Sequence, residues 1–415
     1  RRMDLGDMDR ISTNRHVVVL HSNLHLLNAS RTVLEAANIT AETNIEGIAK
    51  DAQGNPTGEL QEMAAKFMAL DTIGLDYFTE TAEKLSLDNF GRIATQTGVT
   101  TATDLFNAAP EAAVANLAAW TKEEDFRFRI APAFGGATMP GAQGVERVHE
   151  LMKLNNDNLR FGIVKLVTDG SIQGMTGRMK WPGYYNGEPN GVWNTGPDEL
   201  EGLVQAYHDG GLQVYIHVNA DEASEVALNA IENVLTRSPR RDHRHTLQHC
   251  QMADESQYRR MAALGVGVNL FSNHIYYWGD EHRAKTMGPD RAKRANATAT
   301  AQRLGVPFAI HSDAPVTPLG PLFTAWCAVN RLTASGYLLG PNERISVGEA
   351  LRAITLGAAH AMKMDHEVGS IEVGKRADFA VLEEDPTAVA PVDLRDVPVW
   401  GTVMGGRVFQ AGDGN

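Results

Sequence analysis

The chain has 415 residues, 43% of them hydrophobic, enough for one large core and a small accessory domain. A formal net charge of −13 excludes the basic face that nucleic acid requires, and no apolar stretch approaches the roughly 20 residues that would span a membrane. Cys250 and Cys327 are the only cysteines, which excludes a disulfide framework and favours a reducing, cytoplasmic setting.

The chain opens Arg1-Arg2-Met3-Asp4-Leu5-Gly6-Asp7-Met8, which resembles neither a signal peptide nor a natural start and reads as a protein already in progress. Residues 1–95 hold a strand-like His16 to Leu20 and a turn-rich Asp51 to Gly58, and are expected to form an insertion over a barrel mouth. Residues 96–366 then alternate strand and helix. The strand candidates are Val99–Thr103, Phe128–Ala133, Ile163–Val167, Leu212–His217, His245–His249, Val266–Leu270 and Pro307–Ile310. Apolar strands alternating with amphipathic stretches predict a parallel sheet and an α/β fold. Ala223, Ala227, Ala230, Ile231 and Val234 make one helical stripe, and Ser346-x-x-Glu349 predicts the start of another helix. Seven strands are one short of a closed (β/α)₈ barrel of TIM type, so the missing one is expected before residue 1. Residues 367–415 turn to short strands with Gly-rich turns, the pattern of a small β domain.

Four polar groups end four of these apolar runs: Lys165, His217, His249 and Asp313, separated by 52, 32 and 64 residues. Each has a bland reading. Lys165 could snorkel from a strand end, either histidine could be a satisfied core residue, and Asp313 could cap the segment after it. Together they match the way a barrel gathers ligands at the ends of several strands, and imidazole with carboxylate suits zinc.

These segments carry a resemblance. Val164-Lys165-Leu166-Val167-Thr168-Asp169-Gly170-Ser171, Ile216-His217-Val218-Asn219-Ala220-Asp221, Gln248-His249-Cys250-Gln251, Ser312-Asp313-Ala314-Pro315-Val316 and Gly369 to Asp378 resemble the amidohydrolase superfamily, in its family 3 branch. The resemblance implies a metal-dependent hydrolase of non-peptide C–N bonds, with a barrel and a β-sandwich built from both chain ends. Lys165 would be a CO₂-derived carbamate bridging two zinc ions, His217 and His249 would hold one ion, and Asp313 would hold the other and carry the proton. His274, His25, Asn28 and Glu62 would face substrate. Trp181 and Tyr184, with Met175, Tyr185 and Trp193, lie in the loop after Lys165 and could line a pocket or pack the loop down. A small molecule is the expected partner, and homo-oligomers are common among such proteins.

The family's first-strand His-x-His is not found upstream of residue 98. His243-Arg244-His245 has the spacing but sits just before His249 at the start of a strand, on the wrong face. The segment 1–415 alone is therefore expected to be inactive, with Lys165, His217 and His249 holding at most one weakly bound metal. Two other readings stay open. A deaminase would use a glutamate three residues after the fifth-strand histidine, where this chain has Ala220. A non-catalytic barrel would fit the absent His-x-His.

Overall fold

The computed structural model describes residues 2–75 and 84–412. Near the N-terminus, β1 (Val18–Leu20), β2 (Leu26–Ala29), β3 (Ile48–Lys50) and β4 (Pro56–Gln61) pair antiparallel in the order β1-β2-β4-β3. Leu27, Ala29 and Leu60 from this sheet pack with Val33 and Leu34 of helix Arg31–Ala36 and with Ala65, Ala69 and Leu70 of helix Glu62–Thr72.

The central sheet has seven strands: β5 (Thr101–Asn107), β6 (Arg129–Gly135), β7 (Ile163–Val167), β8 (Gln213–Val218), β9 (Thr246–His249), β10 (Gly267–Leu270) and β11 (Phe308–Ile310). Each is parallel to its chain neighbour, in the order β11-β10-β9-β8-β7-β6-β5. All seven predicted strands are present, and among the described residues β5 and β11 remain the two edges. The α/β architecture is thus a curled sheet of barrel type, open between its first and last strands.

Strand alternation sorts the side chains. Val164 and Leu166 of β7, and Val214, Ile216 and Val218 of β8, join the layer beneath the helices. Lys165 and His217 point the other way, to the cavity on the inner side of the sheet. Helix Asp221–Arg237 lays down its stripe as predicted, with Ala223, Ala227, Ile231 and Val234 wholly buried. Burying Ile231 and Val234 contributes about 1.5–3 kcal/mol each. Ser346 accepts from the Glu349 amide at 3.2 Å, and the helix begun at Val347 runs through a π-helical turn, Ala353–Gly357, to Ala361.

The C-terminal strands β12 (Phe379–Leu382), β13 (Val399–Met404) and β14 (Arg407–Gln410) form a separate antiparallel sheet. Met404 packs with Ala94, Val99, Phe126 and Phe128. Asp378 joins the buried Arg129 of β6 at 2.7 Å.

Candidate active site and metal centre

The inner ends of β7, β8, β9 and β11 open into a cavity of about 430 Å³. Lys165, His217, His249 and Asp313 all line it. The N-terminal sheet and the helix after it supply the opposite wall, through Leu24, His25, Glu62, Lys66 and Phe67. Leu105, Phe106, Leu117 and Phe161 make much of the remainder apolar.

Two of the ligand-type residues reach the cavity only because the backbone bends unusually. In β9, alternation would send His249 into the helix layer with Leu247. A left-handed backbone at His249 (φ 68°) and Cys250 (φ 45°) breaks the alternation, so the imidazole lines the cavity while Cys250 joins the outer core. Asp313 is likewise left-handed, at φ 53°, as are Leu24 (61°) and Glu62 (61°) on the facing wall.

Four imidazoles stand in a row. His25 and His217 have ring centroids 5.0 Å apart, His217 and His249 4.6 Å, and His249 and His311 5.0 Å. Burial, with neighbouring rings and the Lys165 charge, holds His217 and His249 well below the ordinary histidine value. Burial, helped by Lys165, brings His311 down to about 3. His217, His249 and His311 are thereby held neutral at physiological pH, the form that ligates metals. His249 Nδ1 and both ring nitrogens of His311 are buried without a protein partner. Donor atoms of His249, His311 and Asp313 all lie within 4.8 Å of one another, with His249 Nδ1 3.8 Å from Asp313 Oδ2. Buried neutral imidazoles beside a carboxylate, lacking hydrogen-bond partners, fit a borderline divalent cation.

The charged groups complement this set. Burial lowers the Lys165 ammonium to about 8 against the pull of Asp313, and burial raises the Asp313 carboxyl above its usual value despite Lys165 and His25. His25 Nδ1 donates to Glu62 Oε2 at 2.8 Å, and Asn194 Nδ2 donates to the same oxygen at 2.6 Å. Burial opposes the Glu62 charge, but His25 and these hydrogen bonds outweigh it and hold the carboxyl below the ordinary range.

The family model for the amidohydrolase family matches residues 2–410. The chain belongs to the amidohydrolase family.

YtcJ of Bacillus subtilis (strain 168), assigned as an amidohydrolase, is 29% identical over 415 residues, covering 97% of this chain and 75% of that protein. An N-substituted formamide deformylase from Arthrobacter pascens is 26% identical over 410 residues, covering 96% and 74%. The crystal structure of an uncharacterized metal-dependent hydrolase from Pyrococcus horikoshii superposes with a TM-score of 0.69 at 20% identity, over 94% of this chain and 75% of that one. That structural likeness concerns the fold.

Within this amidohydrolase, several expected substrate-facing residues lie elsewhere. Asn28 is fully buried, accepting from His21 at 2.8 Å and donating to Met3 O at 3.0 Å. It lies inside β2, whereas His25 precedes that strand, one residue after the left-handed Leu24, and turns its ring to Glu62 and the cavity. His274 is not on the cavity wall; its ring is packed against Phe271 and Trp278, with centroids at 4.3 and 4.4 Å. Trp181 is 94% exposed, and Tyr184 is buried with its hydroxyl donating to Gly177 O, so this stretch packs the loop down and does not line the pocket. His25 and Glu62 do face the cavity.

Other residues enter that sequence reading did not single out. His311 was visible two residues before Asp313, a His-x-Asp at the end of β11. Asp104 of β5 and Lys66 also line the cavity, and burial raises the first and lowers the second. Asn194 sits in an aperiodic loop and carried no signal.

Proposed function

We propose that this amidohydrolase hydrolyses a non-peptide C–N bond, an amide, in a small molecule with a substantial apolar part. The observation that carries the reading is the set of unpartnered donors on His249 and His311 facing Asp313. The apolar wall and the deformylase relative support a substituted amide. A divalent metal, zinc by ligand type, would be held by His249, His311 and Asp313, with His217 and a carbamate on Lys165 completing the set; when bound it acidifies water and polarises a carbonyl.

The chain's own groups do the rest. Lys165, lowered to about 8, has an appreciable neutral amine fraction near that pH, the form that adds CO₂. As a carbamate it would place anionic oxygens where a buried ammonium is costly. Asp313, raised by burial, is suited to take the proton of the attacking water and return it to the leaving nitrogen. Glu62 and Asn194 fix the His25 ring facing the cavity, in reach of a substrate's polar end.

The test is hydrolysis of a panel of N-formyl and N-acyl amines by the metal-loaded protein, followed by amine release, with a chelator control. Chelator-sensitive amine release is expected, and its appearance from residues 1–415 would overturn the expectation, drawn from the missing His-x-His, that this segment alone is inactive. Ammonia release from aminated rings with no amide hydrolysis would overturn the reading in favour of a deaminase. An absence of bound metal would favour a non-catalytic barrel.

A further inference from the structure

Behind His217, buried polar groups form a chain whose donors and acceptors can be assigned bond by bond. A carbonyl only accepts, so Gly170 O fixes Asn219 Nδ2, 2.7 Å away, as the donor. Asn219 Oδ1 then accepts from Gln251 Nε2 at 2.6 Å. The second hydrogen on Gln251 Nε2 is directed to His274 Nε2 at 3.3 Å, which must present a lone pair. His274 Nδ1 therefore carries the proton and donates to His282 Nε2 at 3.0 Å, and His282 Nδ1 donates to Thr286 Oγ1 at 2.8 Å. All five side chains belong to residues no more than 4% exposed.

Each end of the chain meets something functional. At the near end, His217 Nε2 lies 3.2 Å from the same Gly170 carbonyl and 3.1 Å from Asn219 Nδ2. The Nε2–H form donates to that carbonyl and keeps the Nδ1 lone pair for a ligand. At the far end, His282–Thr286 is a π-helical turn. Its Thr286 and Lys285 carbonyls accept from the Tyr185 and Asn186 amides at 2.8 and 2.9 Å, docking the loop that follows β7. That loop returns to the cavity wall at Asn194, on Glu62.

We propose that Gln251 and His274 are positioning residues: they hold Asn219 and Gly170 against the His217 ring and couple that ring to the loop docked on His282–Thr286. The metal-binding consequence rests on His217 being a ligand, as proposed above; the coupling to the loop does not. Losing Gln251 or His274 frees the Asn219 amide to turn over, and the His217 ring with it. Partners of this kind behind a metal-ligating histidine are worth about 10–100-fold in metal affinity.

The test uses the full chain with His274→Phe, which fits the aromatic surroundings but cuts the chain, and His274→Gln, whose amide can accept from Gln251 and donate to His282. Cobalt(II) affinity is expected to fall about 10-fold in His274→Phe and to recover in His274→Gln. Amide exchange at Tyr185 and Asn186 in the metal-free protein is expected to quicken about 10-fold in His274→Phe alone. In ¹⁵N-histidine spectra of the parent chain, His274 should carry its proton on Nδ1. Unchanged cobalt affinity and exchange in His274→Phe, or an Nε2–H form of His274 in the parent, overturns the proposal. A parent chain that binds no cobalt overturns the metal-site reading instead, and the exchange and tautomer measurements then still decide the coupling.

Discussion

Replacing Asp378 by alanine attacks the seam between the C-terminal sheet and the barrel. Asp378 and Arg129 side chains are each 3% exposed, and Arg129 Nη1 meets Asp378 Oδ2 at 2.7 Å. Arg129 has two other partners, Asp157 O at 2.7 Å and Thr101 Oγ1 at 3.1 Å, both neutral. Asp378 Oδ1 accepts from the Gly405 amide at 2.7 Å, at the β13–β14 turn. Alanine therefore strands a buried guanidinium, at about 3–5 kcal/mol, while the exposed Gly405 amide turns to water at little cost. Asparagine keeps one uncharged acceptor oxygen, for Arg129 or for Gly405 but not both, and should cost less than alanine. The double variant Arg129→Met/Asp378→Ala should recover most of the loss, because apolar replacement of a whole buried pair is close to neutral. Urea unfolding followed by tryptophan fluorescence would read these differences as midpoint shifts at constant slope. A loss under about 1 kcal/mol in Asp378→Ala, or a double variant less stable than the single, refutes the reasoning.

Other outcomes follow from the site and from the opposite end of the barrel. His311→Ala and His249→Ala should each weaken zinc binding at least about 10-fold in competition with a chromophoric chelator, and Trp181→Ala should leave it unchanged; equal behaviour of all three would reject the donor set. At pH 8, ¹³C-bicarbonate should give a carbamate resonance in the parent chain and none in Lys165→Ala, since burial lowers this amine to about 8. Its folded value lies below the ordinary 10.5, so the cost of burying the ammonium grows as pH falls from 10.5 towards 8 and is constant below. His208, His243 and His245 are linked as neutral rings, with His208 Nδ1 to His245 Nε2 at 2.8 Å and the Val214 amide donating to His245 Nδ1 at 3.0 Å. Burial lowers all three, so their stabilisation is whole above the free value of 6.5 and is lost as pH falls below it. Thermal midpoints that stay flat from pH 7.5 to 5.0 would contradict this.

The strands were legible because most are short apolar runs, with β7 and β8 buried on both faces, and the strand-end groups were legible because polar residues interrupt or end those runs. What failed was orientation. Asn28 was grouped with His25 by nearness in sequence, yet Asn28 lies within β2 and turns to His21 and Met3, while His25, in the bend before that strand, turns to Glu62. His274 follows the expected strand, but Phe271, Trp278 and His282 hold its ring away from the cavity. His311 was passed over because one ligand was sought at each strand end. The loop after β7 has no period to read, so the exposure of Trp181 and the reach of Asn194 to Glu62 come only from tertiary packing. His249 was found for an incomplete reason: alternation alone would have pointed it into the helix layer.

Leu24, Glu62, His249 and Asp313, four of the twelve left-handed non-glycine residues described, all line the cavity. An L-residue in that conformation sits about 1–2 kcal/mol above glycine. The chain thus keeps a reserve of thermal tolerance at the positions where glycine would cost it a functional side chain. A library selected for heat resistance alone should accumulate glycine at His249 and Asp313 and lose metal binding as it does so. Selection for both properties should leave them untouched and draw its gains from the outer helices.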